Sequence, residues 1–281
     1  MKIGDALKKA SQILKKAGID TPITDSQLIL SFLLKKPRWK LITDREENLP
    51  EDIQIQYFLL IKKRAEGFPV AYITGKKHFF GLEFEVEEGV LVPRPETEIL
   101  VEEVLKRIPK HKRTHGLEIG VGSGIIAVSL LKNREKLLMT GVDISDKALQ
   151  ISTRNAIKHK VIDRFFIKKS NLFEKIPKNQ KFDFIVSNPP YISEEEFKNL
   201  PGEVKKEPKE ALLAGKEGIE FYEKIVKEGV RFLKSKGFFA FEIGHTQGEK
   251  VKKILEKEGF KVKLVKDLQE LDRVIIGEKN D

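Results

Sequence analysis

Gly116-Leu117-Glu118-Ile119-Gly120-Val121-Gly122-Ser123-Gly124, running directly into Ile125-Ile126-Ala127-Val128-Ser129-Leu130-Leu131, is the stretch that decides the fold. It describes a strand, a turn tight enough to need three glycines at alternate positions, and a helix whose first N–H groups stand behind the turn. The spacing is G-x-G-x-G and not the dinucleotide pattern G-x-G-x-x-G, and the chain has no G-x-x-x-x-G-K-S/T, so a phosphate ligand is not required. Lys136-Leu137-Leu138-Met139-Thr140-Gly141-Val142 then reads as the next strand, with Asp143 at its tip. An acid about 20 residues past such glycines is where ribose hydroxyls are held. Capping of the following helix is the other use for Asp143, although Ser145 or Asp146 can serve there.

Further along, the apolar run Phe182-Asp183-Phe184-Ile185-Val186-Ser187 ends in Asn188-Pro189-Pro190-Tyr191. Proline has no N–H, and the residue before a proline is pushed toward extended geometry. Asn188 is therefore kept out of a helix, among main-chain carbonyls that no neighbouring N–H ties up. Such fixed acceptors suit a planar NH2 group, whose two N–H bonds are gripped while its face stays open to an electrophile. Asn-Pro also marks ordinary turns, so the glycine loop and Asp143 upstream are what give the cluster its meaning.

Outward from these motifs, strand and helix patterns alternate from Glu96 onward, which argues for a doubly wound, mostly parallel sheet. Expected strands are Leu117–Ile119, Leu137–Val142, Phe165–Lys168, Phe182–Val186, Phe238–Ile243, Lys261–Val265 and Val274–Ile276. Residues 1–75 read as a separate helical module. Ile3, Ala6, Leu7, Ala10, Ile13, Leu14 and Ala17 fall at helical spacing before Gly18, a second helix follows Thr24-Asp25-Ser26, and a third follows Pro50. Trp39 is expected to pack between the second and third helices. Alternating Phe80, Leu82, Phe84 and Val86, with Val90-Leu91-Val92, predict a β-hairpin over about 78–92 joining this module to a domain over 76–281. Residues 192–218 form a long charged loop beside the Asn188 strand end, a placement that is usually functional. Within it, Glu194-Glu195-Glu196 are expected to open a helix.

The composition excludes several chemistries. The 281 residues contain no Cys and two Met, which rules out disulfides, thiol catalysis and Cys-based zinc sites, and fits a reducing cytoplasm. His78, His111, His115, His159 and His245 make no ligand set, with His111 and His115 expected in an exposed loop, so no metal is predicted. An acid at Asp5 interrupts any signal-peptide pattern, and no apolar run reaches membrane-spanning length, so a soluble, unexported protein is expected. The net charge of +10 is spread over both halves as Lys-rich surface.

The order of glycine loop, strand-end acid and Asn-Pro-Pro-Tyr resembles the class I methyltransferases that use S-adenosylmethionine to methylate an amino nitrogen. The chain is more closely similar to the HemK/PrmC family, the N5-glutamine methyltransferases of peptide release factors. The resemblance runs through Gly89-Val90-Leu91-Val92-Pro93-Arg94-Pro95-Glu96-Thr97-Glu98, Ile185–Ile192, Glu207-Pro208 with Ala211-Leu212, Gly218-Ile219-Glu220-Phe221-Tyr222, Phe241-Glu242-Ile243-Gly244 and Asp272-Arg273-Val274. It implies a seven-stranded Rossmann-like methyltransferase sheet whose last strand is antiparallel. The helical N-terminal domain, with a core of its own and distant in sequence from every cofactor motif, is expected to dock the protein substrate. The resemblance also implies S-adenosylmethionine as methyl donor, S-adenosylhomocysteine as product, and peptide chain release factors as partners; a monomer is expected. The chain departs from the family pattern at Glu118, where an Asp is usual, and at Asn171, where an acid is common near the adenine. The residues expected to bind the cofactor are Gly120, Val121, Gly122, Ser123, Gly124, Asp143, Asn171, Leu172 and Asn188. Asn188, Pro189 and Tyr191 are the expected catalytic set, and Asn188, Pro189, Pro190, Tyr191 and Arg94 the expected substrate contacts. For Arg94 and Glu98, a structural ion pair and a substrate contact both remain open.

In the chemistry so implied, the Asn188 side-chain oxygen and the Pro189 carbonyl hold both N–H bonds of a substrate amide, and Tyr191 packs on the planar carboxamide. No strong base near Asn188 is evident in the sequence. Two other readings are a nucleic-acid amino methyltransferase acting on adenine N6 or guanine N2, and a nucleotide-responsive binding protein. The first calls for aromatic stacking and a concentrated basic track, which the sequence does not display, so no direct nucleic-acid substrate is expected. The second does not account for Asn188 together with Asp143.

Overall fold

The computed structural model describes residues 1–279, so the last two residues of the expected 76–281 domain lie outside the described residues. The chain forms two compact units. One is Met1–Lys76 with Pro201–Lys206, and the other is Lys77–Leu200 with the chain from Glu207 onward.

The first unit contains α1 (Ile3–Lys16), α2 (Pro22–Leu34), α3 (Arg38–Thr43), α4 (Glu51–Ala65) and α5 (Val70–Thr74). The apolar stripe of α1 buries Ile3, Ala6, Ala10 and Leu14 against Ile29, Leu30, Leu41, Tyr57 and Ile61. Helix α2 starts earlier than the Thr24-Asp25-Ser26 signal suggests, because Pro22 occupies its first turn, where a missing N–H costs nothing. Asp25 is consequently free for another task and accepts from buried Arg64 at 2.7 Å. Arg64 also reaches Glu203 at 2.8 Å and the Phe68 carbonyl at 3.1 Å. A buried guanidinium needs several acceptors, and Glu203 supplies one from a segment far away in sequence. Trp39 is not wedged between helices as expected. It is 61% exposed on α3, whose single turn and a half sends Leu41 into the core instead.

The hairpin comprises β1 (Lys76–Phe79) and β2 (Leu82–Glu85), so it ends before the expected second strand at Val90-Leu91-Val92. The turn is Phe80-Gly81, with φ of +50° and +73°, the two positive values that a two-residue hairpin turn needs. Phe80 in that conformation concealed the turn from sequence reading. Its N–H is held by Glu98 Oε1 at 2.6 Å, which gives Glu98 a structural role.

The second unit continues with α6 (Thr97–Arg107), β3 (Thr114–Ile119), α7 (Ile125–Asn133), β4 (Leu137–Asp143), α8 (Asp146–Lys158), β5 (Phe165–Lys169) and β6 (Phe182–Ser187). There follow β7 (Ile192–Ser193), α9 (Glu194–Lys198), β8 (Leu213–Gly215), α10 (Glu220–Gly229), β9 (Leu233–Glu242), α11 (Gly248–Lys257), β10 (Phe260–Lys266) and β11 (Asp272–Lys279). The seven-stranded sheet has the order β10-β11-β9-β6-β3-β4-β5, with β11 antiparallel to both neighbours and the strands from β9 to β5 parallel. This matches the expected α/β class, including the antiparallel last strand. Alternation along the strands feeds two cores: Phe184, Val186, Phe238 and Ala240 meet α6 and α7, whereas Phe182, Ile185, Phe239 and Phe241 meet α10 and α11. His115 belongs to β3, half-buried with Nε2 2.9 Å from Thr140 Oγ1. It is thus not the loop residue expected, since β3 begins three residues before the apolar run that announces it. Burial holds its imidazole below the ordinary pKa.

Ile119 pairs with Val142 on one side and Ser187 on the other, and Asp143 pairs with Lys169. The residues just beyond these strands therefore emerge at one edge of the sheet. The chain winds in opposite senses from β3 to β4 and from β3 to β6, and an open α/β sheet takes its ligand at the strand carboxyl ends beside such a reversal.

Candidate active site

A cavity of about 580 Å³ opens at this edge. Among the residues expected to hold cofactor or substrate, it is lined by Gly120, Gly122, Asp143, Asn171, Leu172, Asn188, Pro189 and Pro190. The sequence spreads these over some seventy residues on four separate strand ends; the parallel register assembles them.

The glycine turn is built by backbone bonds. Gly120 and Val121 donate to the Val142 carbonyl at 2.9 and 3.2 Å, and Gly122 donates to Asp143 Oδ2 at 3.0 Å. Gly120 and Gly122 have φ of +76° and +53°, a conformation strained for any side chain. Val121, Ser123 and Gly124 do not line the cavity. Val121 and Ser123 are buried, the Ser123 carbonyl accepting from Asn155 at 2.9 Å, and Gly124 caps α7. Asp143 Oδ1 accepts from the Ser145 N–H at 2.9 Å, while Ser145 itself caps α8. Each Asp143 oxygen is thus oriented by one backbone N–H and keeps lone-pair capacity toward the cavity. Asn171 donates to Glu174 at 2.9 Å, leaving its carbonyl oxygen to accept.

Behind the turn, Glu118 is wholly buried. Its Oε2 accepts from the Ala127 N–H at 3.0 Å, while Oε1 has no partner. Burial drives its carboxyl well above the ordinary range, with the Asp143 charge adding to the effect.

On the other side, Asn188 Nδ2 donates to Thr97 Oγ1 at 3.3 Å, and Thr97 Oγ1 donates to Glu242 Oε2 at 2.5 Å. Glu242 is buried, and its pKa is pushed up to about 7 by desolvation, with Glu96 adding to the rise and Thr97, Arg273 and Asn188 opposing it. Thr97 and Glu242 were not among the expected site residues. Both lie in stretches that carry the family resemblance, yet 145 residues separate them and no spacing rule joins them.

Tyr191 does not line the cavity. Its ring packs against the core that contains Tyr222 and Phe241, and its carbonyl accepts from Gln247 Nε2 at 2.7 Å. Arg94 is likewise off the cavity and pairs at 2.5 Å with Glu207, which also accepts from the Val92 N–H at 2.9 Å. The segment after Glu207 brings Pro208, Glu210 and Ala211 to the cavity, and Val90, Ile144 and Phe221 contribute to its apolar lining. Among the described residues no group of three or more His, Asp or Glu is placed to hold a metal ion, and no helix is long and apolar enough to cross a membrane.

A sheet of this order, with a glycine turn, a strand-end acid and Asn188-Pro189-Pro190 around one cavity, defines a methyltransferase. A family model described as the methyltransferase small domain matches residues 95–270, and one described as the PrmC N-terminal domain matches residues 5–75. A solved methyltransferase from Pyrococcus furiosus shares the fold, with a TM-score of 0.54 and 20% identity over 72% of this chain and 91% of that one. A protein of Aquifex aeolicus described as a release factor glutamine methyltransferase is 45% identical, with 96% of each chain covered. One of Clostridium acetobutylicum with the same description is 42% identical, with 99% of this chain and 98% of that one covered. The chain belongs to the release factor glutamine methyltransferase family.

Proposed function

We propose that this protein transfers a methyl group from S-adenosylmethionine to the side-chain amide N5 of the glutamine in the Gly-Gly-Gln loop of peptide chain release factors. The observation that carries this reading is the orientation of Asn188. Its amide nitrogen is turned to Thr97, which leaves Oδ1 as an acceptor on the wall of the cavity that Asp143 and the glycine turn also line.

The cavity fits the methyl donor. A Cβ at Gly120 would meet nothing within 4 Å, so there is room beside the turn. Asp143 presents acceptors for a diol, and Ile144 and Leu172 offer apolar surface for a flat base, with the Asn171 carbonyl available to an exocyclic amine. When bound, the cofactor supplies an electrophilic methyl on a sulfonium centre. The chain's own part is positioning. Asn188 Oδ1 and the Pro189 carbonyl take the two N–H bonds of the substrate amide, so that the nitrogen presents its face and growing positive charge there is stabilised. Orientation of this kind contributes ~7–11 kcal/mol in favourable cases, and fixed acceptors in a dry site add to it. Tyr191 supports this edge from behind through its ring packing and the Gln247 bond.

The helical unit is assigned to docking of the release factor. It exposes Ile55 and Leu59 one turn apart on α4, together with Ile23, Trp39 and Ile42, while none of its residues lines the cavity. A protein substrate from translation fits a cytoplasmic enzyme, which we take to act as a monomer without a metal. Incubation with release factor, nucleic acid and labelled S-adenosylmethionine tests the reading: mass spectrometry should find one methyl on the loop glutamine. Label on nucleic acid with the factor untouched would favour an amino methyltransferase of nucleic acid.

A further inference from the structure

We infer that Thr97 and Glu242 are positioning residues for methyl transfer, which set which end of the Asn188 carboxamide faces the substrate. The inference rests on the amide-methylation reading and deepens it.

A carboxamide has two nearly isosteric ends, one donating and one accepting. Only the accepting end can grip the N–H of a substrate amide; the donating end would repel it. Asn188 therefore requires something that reads the difference, and prolines on its carboxyl side cannot do so. Thr97 can. Its hydroxyl has a single proton, which is given to Glu242 Oε2 at 2.5 Å, so toward Asn188 it can only accept, and the group facing it at 3.3 Å is Nδ2. The direction of the whole chain is thus set at Glu242, which as a carboxylate can accept but not donate.

Protonation reverses the logic. A neutral Glu242 can donate to Thr97, whose own proton is then free to turn to Asn188 and draw Oδ1 inward, presenting Nδ2 to the cavity. Glu242 is buried and its pKa is raised to about 7, so this exchange falls within an accessible pH range. The charged and titratable groups around it are Glu96 on the turn leading into α6, Arg273 on β11, Tyr191, and Tyr222 on α10, whose hydroxyl donates to the Glu242 carbonyl at 2.9 Å. The Arg273 pKa is raised by its bond to Asp267, and both phenols are raised by burial, so these three keep their protonation state near neutrality.

The consequence is a kcat that rises with pH through a single ionisation near 7 while substrate KM changes little. In Glu242→Gln this inflection should vanish between pH 6 and 8, whatever the plateau rate. Thr97→Val, which keeps the shape and loses the hydroxyl, should lower kcat about ten- to a hundredfold with the KM for release factor and the Kd for S-adenosylmethionine unchanged, and Thr97→Ser should restore most of it. In the cofactor-free protein, carbon-13 NMR of the Glu242 carboxyl should titrate near the same pH. Retention of the inflection in Glu242→Gln, or a Thr97→Val enzyme as fast as the parent, would overturn the inference. Failure of the parent enzyme to methylate any release-factor glutamine would instead overturn the reading on which it rests.

Discussion

On its Asp143 side the cavity is built from backbone, whereas on its Asn188 side it is built from side chains that meet across the whole sheet unit. Gly120, Val121, Gly122 and Ser145 are tied to the β4 end by main-chain N–H groups. Asn188 depends on Thr97 at the start of α6 and on Glu242 at the end of β9. The buried acids differ in the same way. Glu118 holds an N–H of α7 and leaves one oxygen without a partner, which suits a neutral carboxyl; Glu242 sits at the head of a hydrogen-bond chain that its charge directs. A side made of backbone should lose function by degrees when one side chain is removed, and a side made of a relay should lose it nearly all at once.

The largest effect is expected at the relay's working end. Asn188→Ala should reduce kcat by ~10²–10³ or more, the scale for deleting a preorganised polar contact to the reacting group, with cofactor affinity preserved. Single-turnover kinetics at saturating substrate measures it directly, and a near-normal rate would erase the distinction between the two sides.

Next is a stability effect at Glu242. Its carboxyl titrates at about 7 in the folded protein against an ordinary 4.5, so the folded state binds the proton more tightly than the unfolded one. Stability is therefore lost as pH rises from about 4.5 to about 7 and stays lower above that. Glu242→Gln should be more stable than the parent by about 3 kcal/mol at pH 8, with the gain fading toward pH 4. Denaturant unfolding at the two pH values decides it; a gain independent of pH would mean that Glu242 is not desolvated in the folded state.

Asp143→Ala should weaken S-adenosylmethionine by about 1.5–3 kcal/mol, the range for losing hydrogen bonds to a charged acceptor, because the turn retains its bonds to the Val142 carbonyl. Calorimetry reads this, and unchanged affinity in a folded variant would remove Asp143 from the cofactor site. The smallest effect is expected on the helical unit. Ile55→Ser with Leu59→Ser on α4 should raise the KM for release factor roughly five- to tenfold while leaving kcat and the cofactor Kd in place. A change in kcat instead would break the assignment of docking to the helical unit.

The strands of the seven-stranded sheet, the glycine turn and the Asn188 edge were legible because each is a local pattern. Alternating apolar residues demand a buried strand, three alternate glycines demand a turn, and a proline after Asn188 forbids a helix. Errors arose where local residues hid a tertiary purpose. Asp25 looked like a helix start and is the partner of buried Arg64, Phe80 looked like a strand residue and is half of a turn, and Trp39 looked like core and is exposed. Thr97 and Glu242 read as ordinary helix-start and strand-end residues. What joins them to Asn188 is the sheet order, which places β9 beside β6 and α6 against β9. The sequence by itself determined the periodicities and the acceptors on offer, since these follow from side-chain and backbone chemistry a few residues apart. Only the tertiary structure decided which end of the Asn188 amide faces the cavity, because that depends on one proton on Thr97 and one buried charge on Glu242 brought together from opposite ends of the sheet unit.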